Sequence, residues 1–210
     1  GDKGIFINKT RRLHPAIKKF TSEIFYEGRL DCIDGLDNQA IIGSETFSRP
    51  GLYYVPVEHT DCQGYCEDEI KKVQELVAVL LAKGVRVRDE EGNVRPVTTK
   101  DILIVAPYNL QVDALKTVLP ELSIGTVDKF QGQEAPVVIY SMTSSSAQDV
   151  PRGMSFLYDP NRLNVATSRA RCVCILVASP NLFKPDCRSI EQMRWANGLC
   201  RYREIAGGKT

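Results

Sequence analysis

Three arginines crowd one short stretch of this chain, Asn161-Arg162-Leu163-Asn164-Val165-Ala166-Thr167-Ser168-Arg169-Ala170-Arg171. Apolar Leu163, Val165, Ala166 and Ala170 lie between them, so the segment has a face to bury and charges that must travel with it. A guanidinium is planar, permanently charged and able to fork two hydrogen bonds, which suits it to phosphate. Arg162, Arg169 and Arg171 cannot all be buried without anionic partners. A second cluster, Gly125-Thr126-Val127-Asp128-Lys129-Phe130-Gln131-Gly132-Gln133-Glu134, approaches the same chemistry from the polar side. Together the two segments point to a surface that handles nucleotides and nucleic acid.

The elements that must position these residues alternate between strand and helix. Gly4 to Ile7 reads as a short strand. After Pro15, residues Ile17, Phe20, Ile24 and Phe25 recur at helical spacing, which predicts a helix over about 15–26 that Pro15 starts and Gly28 ends. Residues 31–50 carry no clear period and are expected to wander over the surface. Leu52 to Glu58 reads as a strand. Ile70, Val73, Leu76, Val77, Leu80 and Leu81 form a helical stripe closed by Gly84, and 85–97 reads as a charged hairpin inserted into the domain, turning at Glu91-Gly92-Asn93. Ile102 to Ala106 is continuously apolar, as a strand buried on both faces requires. Leu110, Ala114, Leu115 and Val118 predict the next helix, and Ile124–Val127 and Val137–Met142 two more strands. The Ser-rich stretch 143–153 reads as a mobile segment. A helix over about 162–170, a strand over 173–178 and a helix over 189–203 complete the chain. The alternation predicts an α/β fold, a mostly parallel sheet flanked by helices on both faces, as a single domain over 1–210.

Ligands in open parallel sheets gather at the carboxyl ends of the strands. Pro107-Tyr108-Asn109, the loop Asp128 to Glu134 and the loop at Thr143 are therefore expected to share one edge, with the arginine helix approaching it. A phosphate-cradling loop of the form Gly, four residues, Gly-Lys-Ser/Thr is missing. Gly207-Gly208-Lys209-Thr210 comes nearest, but Arg203 stands where the first Gly belongs, and the segment reads as a frayed tail. No acidic strand end of Walker B type stands out either. The chain thus lacks the usual means to hold a nucleoside triphosphate and its Mg²⁺ alone.

Composition bounds the class. A length of 210 residues supports one sizeable core, and 43% hydrophobic with 25% charged residues is ordinary for a globular domain. A net charge of +1 confines any nucleic-acid binding to a local patch. No run of about 18 apolar residues exists, so neither a transmembrane helix nor a membrane partner is expected. The start, Gly1-Asp2-Lys3-Gly4, has no signal-peptide architecture. Seven cysteines, an odd count, suit a reducing compartment, the cytoplasm or the nucleus. His59, Cys62 and Cys66 have the spacing His-x-x-Cys-x-x-x-Cys, three donors where a structural zinc takes four. With no fourth ligand nearby in sequence, they are expected to be loop cysteines before a helix, with no metal.

Four blocks, in order, carry a resemblance. Thr10-Arg11-Arg12-Leu13-His14-Pro15 resembles the Arg-Met-His-Pro block of superfamily 1 helicases, with Leu13 for the common Met. Ile104-Val105-Ala106-Pro107-Tyr108-Asn109-Leu110-Gln111 resembles their Pro-Tyr-x-x-Gln block. Gly125 to Glu134 resembles motif V, and Arg162 to Arg171 resembles motif VI. The chain looks like the C-terminal RecA-like domain of the Upf-type and Dna-type, 5′-to-3′ branch, a P-loop-NTPase-type domain without its own P-loop. The resemblance covers about 10–171. It implies a companion N-terminal RecA-like domain of the same protein that holds most of the ATP and Mg²⁺, and single-stranded DNA or RNA as partner.

The resemblance also implies roles. Arg169 would be the arginine finger on the transferring phosphoryl group, and Arg12 would reach the γ-phosphate. Glu134 would accept a hydrogen bond from the ribose, with Gln131, Gly132 and Arg162 at the nucleotide cleft. Thr126 and Val127 would contact the nucleic-acid backbone, the valine by its N–H. Pro107, Tyr108 and Gln111 would lie along the same strand track, where an aromatic ring can stack on a base. Other readings stand beside these: Arg171 suits an internal ion pair, Arg162 divides between an ion pair and a cleft contact, and His14 before Pro15 suits a helix cap. The rival to an ATP-dependent motor is a RecA-like module that grips nucleic acid or protein without hydrolysis. A free-standing nucleotide enzyme of Rossmann type is disfavoured because no Gly-x-Gly-x-x-Gly follows a strand.

Overall fold

The computed structural model describes residues 9–130 and 132–207. Its strands, in chain order, are β1 (Lys9–Thr10), β2 (Asp31–Cys32), β3 (Ala40–Ile42), β4 (Gly51–Pro56), β5 (Arg86–Arg88), β6 (Val94–Pro96), β7 (Ile102–Val105), β8 (Ser123–Gly125), β9 (Ala135–Ser141) and β10 (Ala170–Ala178). The helices are α1 (Pro15–Phe25), α2 (Glu67–Leu80), α3 (Asn109–Val118), α4 (Met154–Leu157), α5 (Pro160–Ser168) and α6 (Ile190–Ile205). Five strands form the central sheet in the order β4-β10-β9-β7-β8, every pair parallel. The expected α/β architecture is present.

Alternation along the strands sorts the core into two layers. Leu103 and Val105 of β7 join Val138, Tyr140, Cys174 and Leu176 beneath α1, α5 and α6. Ile102 and Ile104 face the other way and join Val137, Ile139, Val173 and Ile175 beneath α2 and α3. A strand buried on both faces must be apolar throughout, which is why β7 shows no period. The α2 stripe, Ile70, Val73, Leu76, Val77 and Leu80, is buried as its spacing requires. Each such side chain stabilises the fold by about 1.5–3 kcal/mol through burial. His14 starts α1: its Nδ1 accepts the Ala16 N–H at 3.0 Å, a capping role.

Two stretches depart from expectation. Residues 31–50 are not featureless, because β3 pairs antiparallel with β5, and β5 with β6, in a small separate sheet. Three residues are too few for a period to show. The Ser-rich stretch is the larger correction. Ser141, Thr143 and Ser144 are 0% exposed and Ser145 is 3% exposed. Two of them serve a buried carboxylate, Glu69: Ser141 Oγ donates to Glu69 Oε2 at 2.6 Å and the Thr143 N–H donates to it at 3.0 Å, while Ser145 Oγ lies 2.8 Å from His59 Nδ1. The strand expected at Gly4–Ile7, residue Gln131 and the tail 208–210 lie outside the described residues. Among the described residues, no helix is long and apolar enough to cross a membrane.

The chain leaves β7 for the edge strand β8, then passes back to β9 and β10. In open parallel sheets a crevice forms at such a reversal, which here falls between β7 and β9, the strands that lead into Tyr108 and Thr143.

Candidate functional site

The candidate residues form two groups at opposite edges of the sheet. The loop after β8 starts at the carboxyl edge but ends at Glu134, just before β9 begins at the amino edge. Helix α5 runs antiparallel to the strands, so Arg169 at its end also reaches the amino edge. The expectation of one shared edge is corrected accordingly: a loop that joins two parallel strands must cross the sheet from one edge to the other.

At the amino edge, Arg12 and Arg171 share a single carboxylate, Glu134, and Arg169 lies beside Arg12 with the Gln133 carbonyl as its partner. Arg12 Nε lies 2.6 Å from Glu134 Oε2, and Arg171 Nη1 lies 4.0 Å from Glu134 Oε1. Arg12 Nη1 donates to Ser168 O at 2.9 Å, and Gln39 Nε2 donates to Arg12 O at 3.0 Å. The His14 N–H donates to Arg171 O at 2.9 Å, tying the Arg12 segment to β10. Arg169 is only 7% exposed. Its Nη1 donates to Gln133 O at 2.9 Å, and its Nε is buried with no hydrogen-bond partner among the described residues. Burial, and then the neighbouring Arg12 charge, hold this guanidinium below the ordinary arginine value. Three cations beside one carboxylate leave an excess of positive charge in a partly desolvated place, an environment that suits an anionic partner.

At the carboxyl edge, aromatic rings alternate with guanidiniums. Tyr108, half-buried after β7, packs against Phe156 with ring centroids 5.4 Å apart. Arg162 lies over the Phe156 ring at 4.1 Å and Arg152 at 4.7 Å. Burial pushes the Tyr108 hydroxyl pKa up. Thr126 leaves the end of β8 half-buried. Gly125 before it has no room for a side chain, since a Cβ there would stand 2.6 Å from the Lys129 stem and 3.1 Å from the Phe130 ring. Phe156 and Arg152 were missed in the sequence because their surroundings read as a mobile loop. The available signal was an aromatic residue flanked by basic ones.

Several expected members fall elsewhere. Arg162 is not in the amino-edge cluster: seven residues before Arg169 on α5, it lies roughly 10 Å away along the axis. It faces Asp128 at 3.8 Å and the Phe156 ring instead. Gln111 does not line the crevice. It is 0% exposed; its Nε2 donates to Ser141 Oγ at 3.0 Å and Cys66 O at 3.2 Å, and its Oε1 accepts the Cys66 N–H at 2.9 Å. Its amide ties α3 to the start of α2. Pro107 and the Val127 side chain are buried, while Gly132 is exposed with a left-handed φ of +86°. Gln131 is outside the described residues.

Residues 2–181 match the family model described as AAA domain. Curated relatives include the putative helicase mov-10-B.1 of Danio rerio, 28% identical over 83% of this chain and 19% of the relative. The regulator of nonsense transcripts 1 homolog of Arabidopsis thaliana is 29% identical over 97% of this chain and 16% of the relative. The DNA polymerase alpha-associated DNA helicase A of Schizosaccharomyces pombe is 30% identical over 85% and 28%. A solved C-terminal domain of a possible DNA helicase from Lactobacillus (strain WCFS1) aligns at a TM-score of 0.43 and 18% identity, covering 82% of this chain and 92% of that one. The chain belongs to the AAA-domain family, in the Upf-like superfamily 1 helicase group. It spans less than a third of the length of these curated relatives.

Proposed function

We propose that this domain is one half of an ATP-dependent nucleic-acid motor. Its amino edge serves a nucleotide held mainly, with its Mg²⁺, by an N-terminal RecA-like domain of the same protein. Its carboxyl edge grips a single strand of DNA or RNA. The observation that carries the proposal is Arg169, a nearly buried guanidinium with a carbonyl for its partner and no carboxylate among the described residues. Such a charge is costly unless an anion completes it. On closure of the two domains, Arg169 would meet the transferring phosphoryl group and stabilise charge as it develops. Arg12 would move from Glu134 to the γ-phosphate, freeing that carboxylate to accept from the ribose. Gly132, and Gln131 beside it, would border the cleft.

At the other edge, Tyr108 offers a ring for stacking, and Thr126 and the Val127 N–H offer donors to the phosphodiester backbone. Pro107 shapes that turn. Arg162, held over Phe156, belongs to this edge in the proposal. The experiment uses the parent protein and reads both edges separately. Arg169→Ala is expected to abolish strand-stimulated ATP turnover while strand affinity stays within a factor of two or so. Tyr108→Ala is expected to weaken strand binding while turnover at saturating strand is largely kept. Loss of both properties in both variants would sink the two-edge assignment. Normal turnover in Arg169→Ala would favour a module that grips nucleic acid or protein without hydrolysis.

A further inference from the structure

A third cluster lies near the carboxyl edge, built from side chains the motor proposal does not use. His59 follows β4, and Cys66 is the residue that caps the start of α2. His59, Cys62 and Cys66 each bring one donor atom into a group whose members all lie within 4.8 Å of one another. The folded chain changes the view of this trio in two ways. First, His59 Nε2 sits 3.1 Å from Glu69 Oε1, and the Glu69 carboxylate is itself fixed by Ser141 and Thr143. A carboxylate behind one ring nitrogen holds the proton there and leaves the lone pair on the other, the arrangement found behind most metal-bound histidines. Second, the His59 side chain is 1% exposed and Cys66 is 0% exposed, whereas Cys62 is only partly covered. The cluster is therefore rigid on its inner side and open on one outer side.

We propose that His59 Nδ1, Cys62 Sγ and Cys66 Sγ bind one zinc ion, with a water as the fourth ligand. One imidazole and two thiolates form a set that selects zinc over harder divalent ions. Bond lengths of about 2.3 Å to sulfur and 2.0–2.1 Å to nitrogen put tetrahedral ligands about 3.3–3.8 Å apart, so the donors need close by no more than about 1.5 Å. In the metal-free arrangement Ser145 Oγ lies 2.8 Å from Nδ1 and accepts the Cys62 N–H at 2.9 Å. The ion displaces that hydroxyl from Nδ1 and leaves it on the Cys62 N–H. Thiols bind zinc as thiolates, so binding releases protons and weakens as pH falls. The position of Cys66 at the start of a fourteen-residue helix favours its thiolate once the ion arrives.

The site would staple two segments together. Gln63 bridges Ser144, and the Ser145 N–H donates to Cys62 O at 3.1 Å. Gly64 lies against Tyr108, where a Cβ would come within 3.2 Å of the ring. Zinc would thus stiffen the support of Tyr108 independently of whether the domain belongs to a motor.

The test titrates the folded, metal-stripped chain with Co²⁺ as a spectroscopic probe and then displaces it with Zn²⁺. One equivalent is expected to give the visible bands of a tetrahedral site with thiolate charge transfer, and to release about two protons. Cys62→Ser is expected to weaken affinity at least tenfold and to reduce the charge-transfer band; Cys187→Ser is expected to change neither. Zn²⁺ is expected to slow alkylation of Cys62 but not of Cys187 in the unsubstituted chain, a readout that needs no variant to fold. Absence of a tetrahedral spectrum at one equivalent, an unchanged spectrum in Cys62→Ser, or equal protection of Cys62 and Cys187 would each overturn the proposal.

Discussion

Replacing Arg169 by methionine in the isolated chain should make it more stable. The side chain is 7% exposed, and both burial and Arg12 disfavour its charge. Removing it forfeits the bond to Gln133 O. A hydrogen bond to a charged group contributes about 1.5–3 kcal/mol, but Gln133 is exposed and water takes over much of that role. Against this stands the desolvation of a buried cation, several kcal/mol, while the methionine stem retains most of the packing. The balance favours Arg169→Met by about 1–2 kcal/mol. For a chain of this size each kcal/mol moves the midpoint by about 2–4 °C, so Tm should rise by roughly 2–8 °C. Thermal and urea unfolding of both chains measure it. Sulfate should also raise the Tm of the unsubstituted chain more than that of the variant, since an anion held tenfold above its Kd contributes about 1.4 kcal/mol. A variant less stable by 1 kcal/mol or more would refute the reasoning and make Arg169 a structural brace.

Three other outcomes follow from the same geometry. Tyr108→Ala in the parent protein should lower single-strand affinity by about 1–3 kcal/mol, roughly 5- to 150-fold, in fluorescence anisotropy, which an intact affinity would contradict. Glu69→Ala should cost about 2–4 kcal/mol in urea unfolding, because His59, Ser141 and the Thr143 N–H all lose a buried partner. His14 has its pKa lowered from 6.5, chiefly by burial, and caps α1 as the neutral ring. With a folded value below the unfolded one, its contribution is complete above pH 6.5 and fades as pH falls through the lowered folded value. Stability of His14→Ser should therefore fall less steeply than that of the unsubstituted chain as pH drops below 6.5, and parallel profiles would argue against the assignment.

The sequence revealed most where local pattern and burial agree. The α2 stripe and the unbroken apolar run of β7 follow directly from which faces each element buries. The arginines and Glu134 were recognisable as chemistry, but their edge was not, because it depends on where the loop after β8 finishes crossing the sheet. Thr143 to Ser145 read as part of a mobile segment because polarity is a local signal, whereas Glu69, the partner of the Thr143 N–H, lies more than seventy residues earlier. Gln111 misled for the same reason: its amide is taken up by Cys66 and Ser141, neither of them near in sequence. His59, Cys62 and Cys66 supply three donors in the fold as in the sequence, and what spacing did not show is Glu69 behind the imidazole.

The central claim is tested most directly by the rate of strand-stimulated ATP hydrolysis in the parent protein, with Arg169 intact, as Arg169→Lys and as Arg169→Ala. An arginine finger contributes about 10³–10⁵ in rate, and a point charge without the planar fork replaces it poorly. The account predicts that both variants lose at least two decades of turnover, with strand affinity and folding preserved. Turnover within a few-fold of the unsubstituted protein in Arg169→Ala would contradict it.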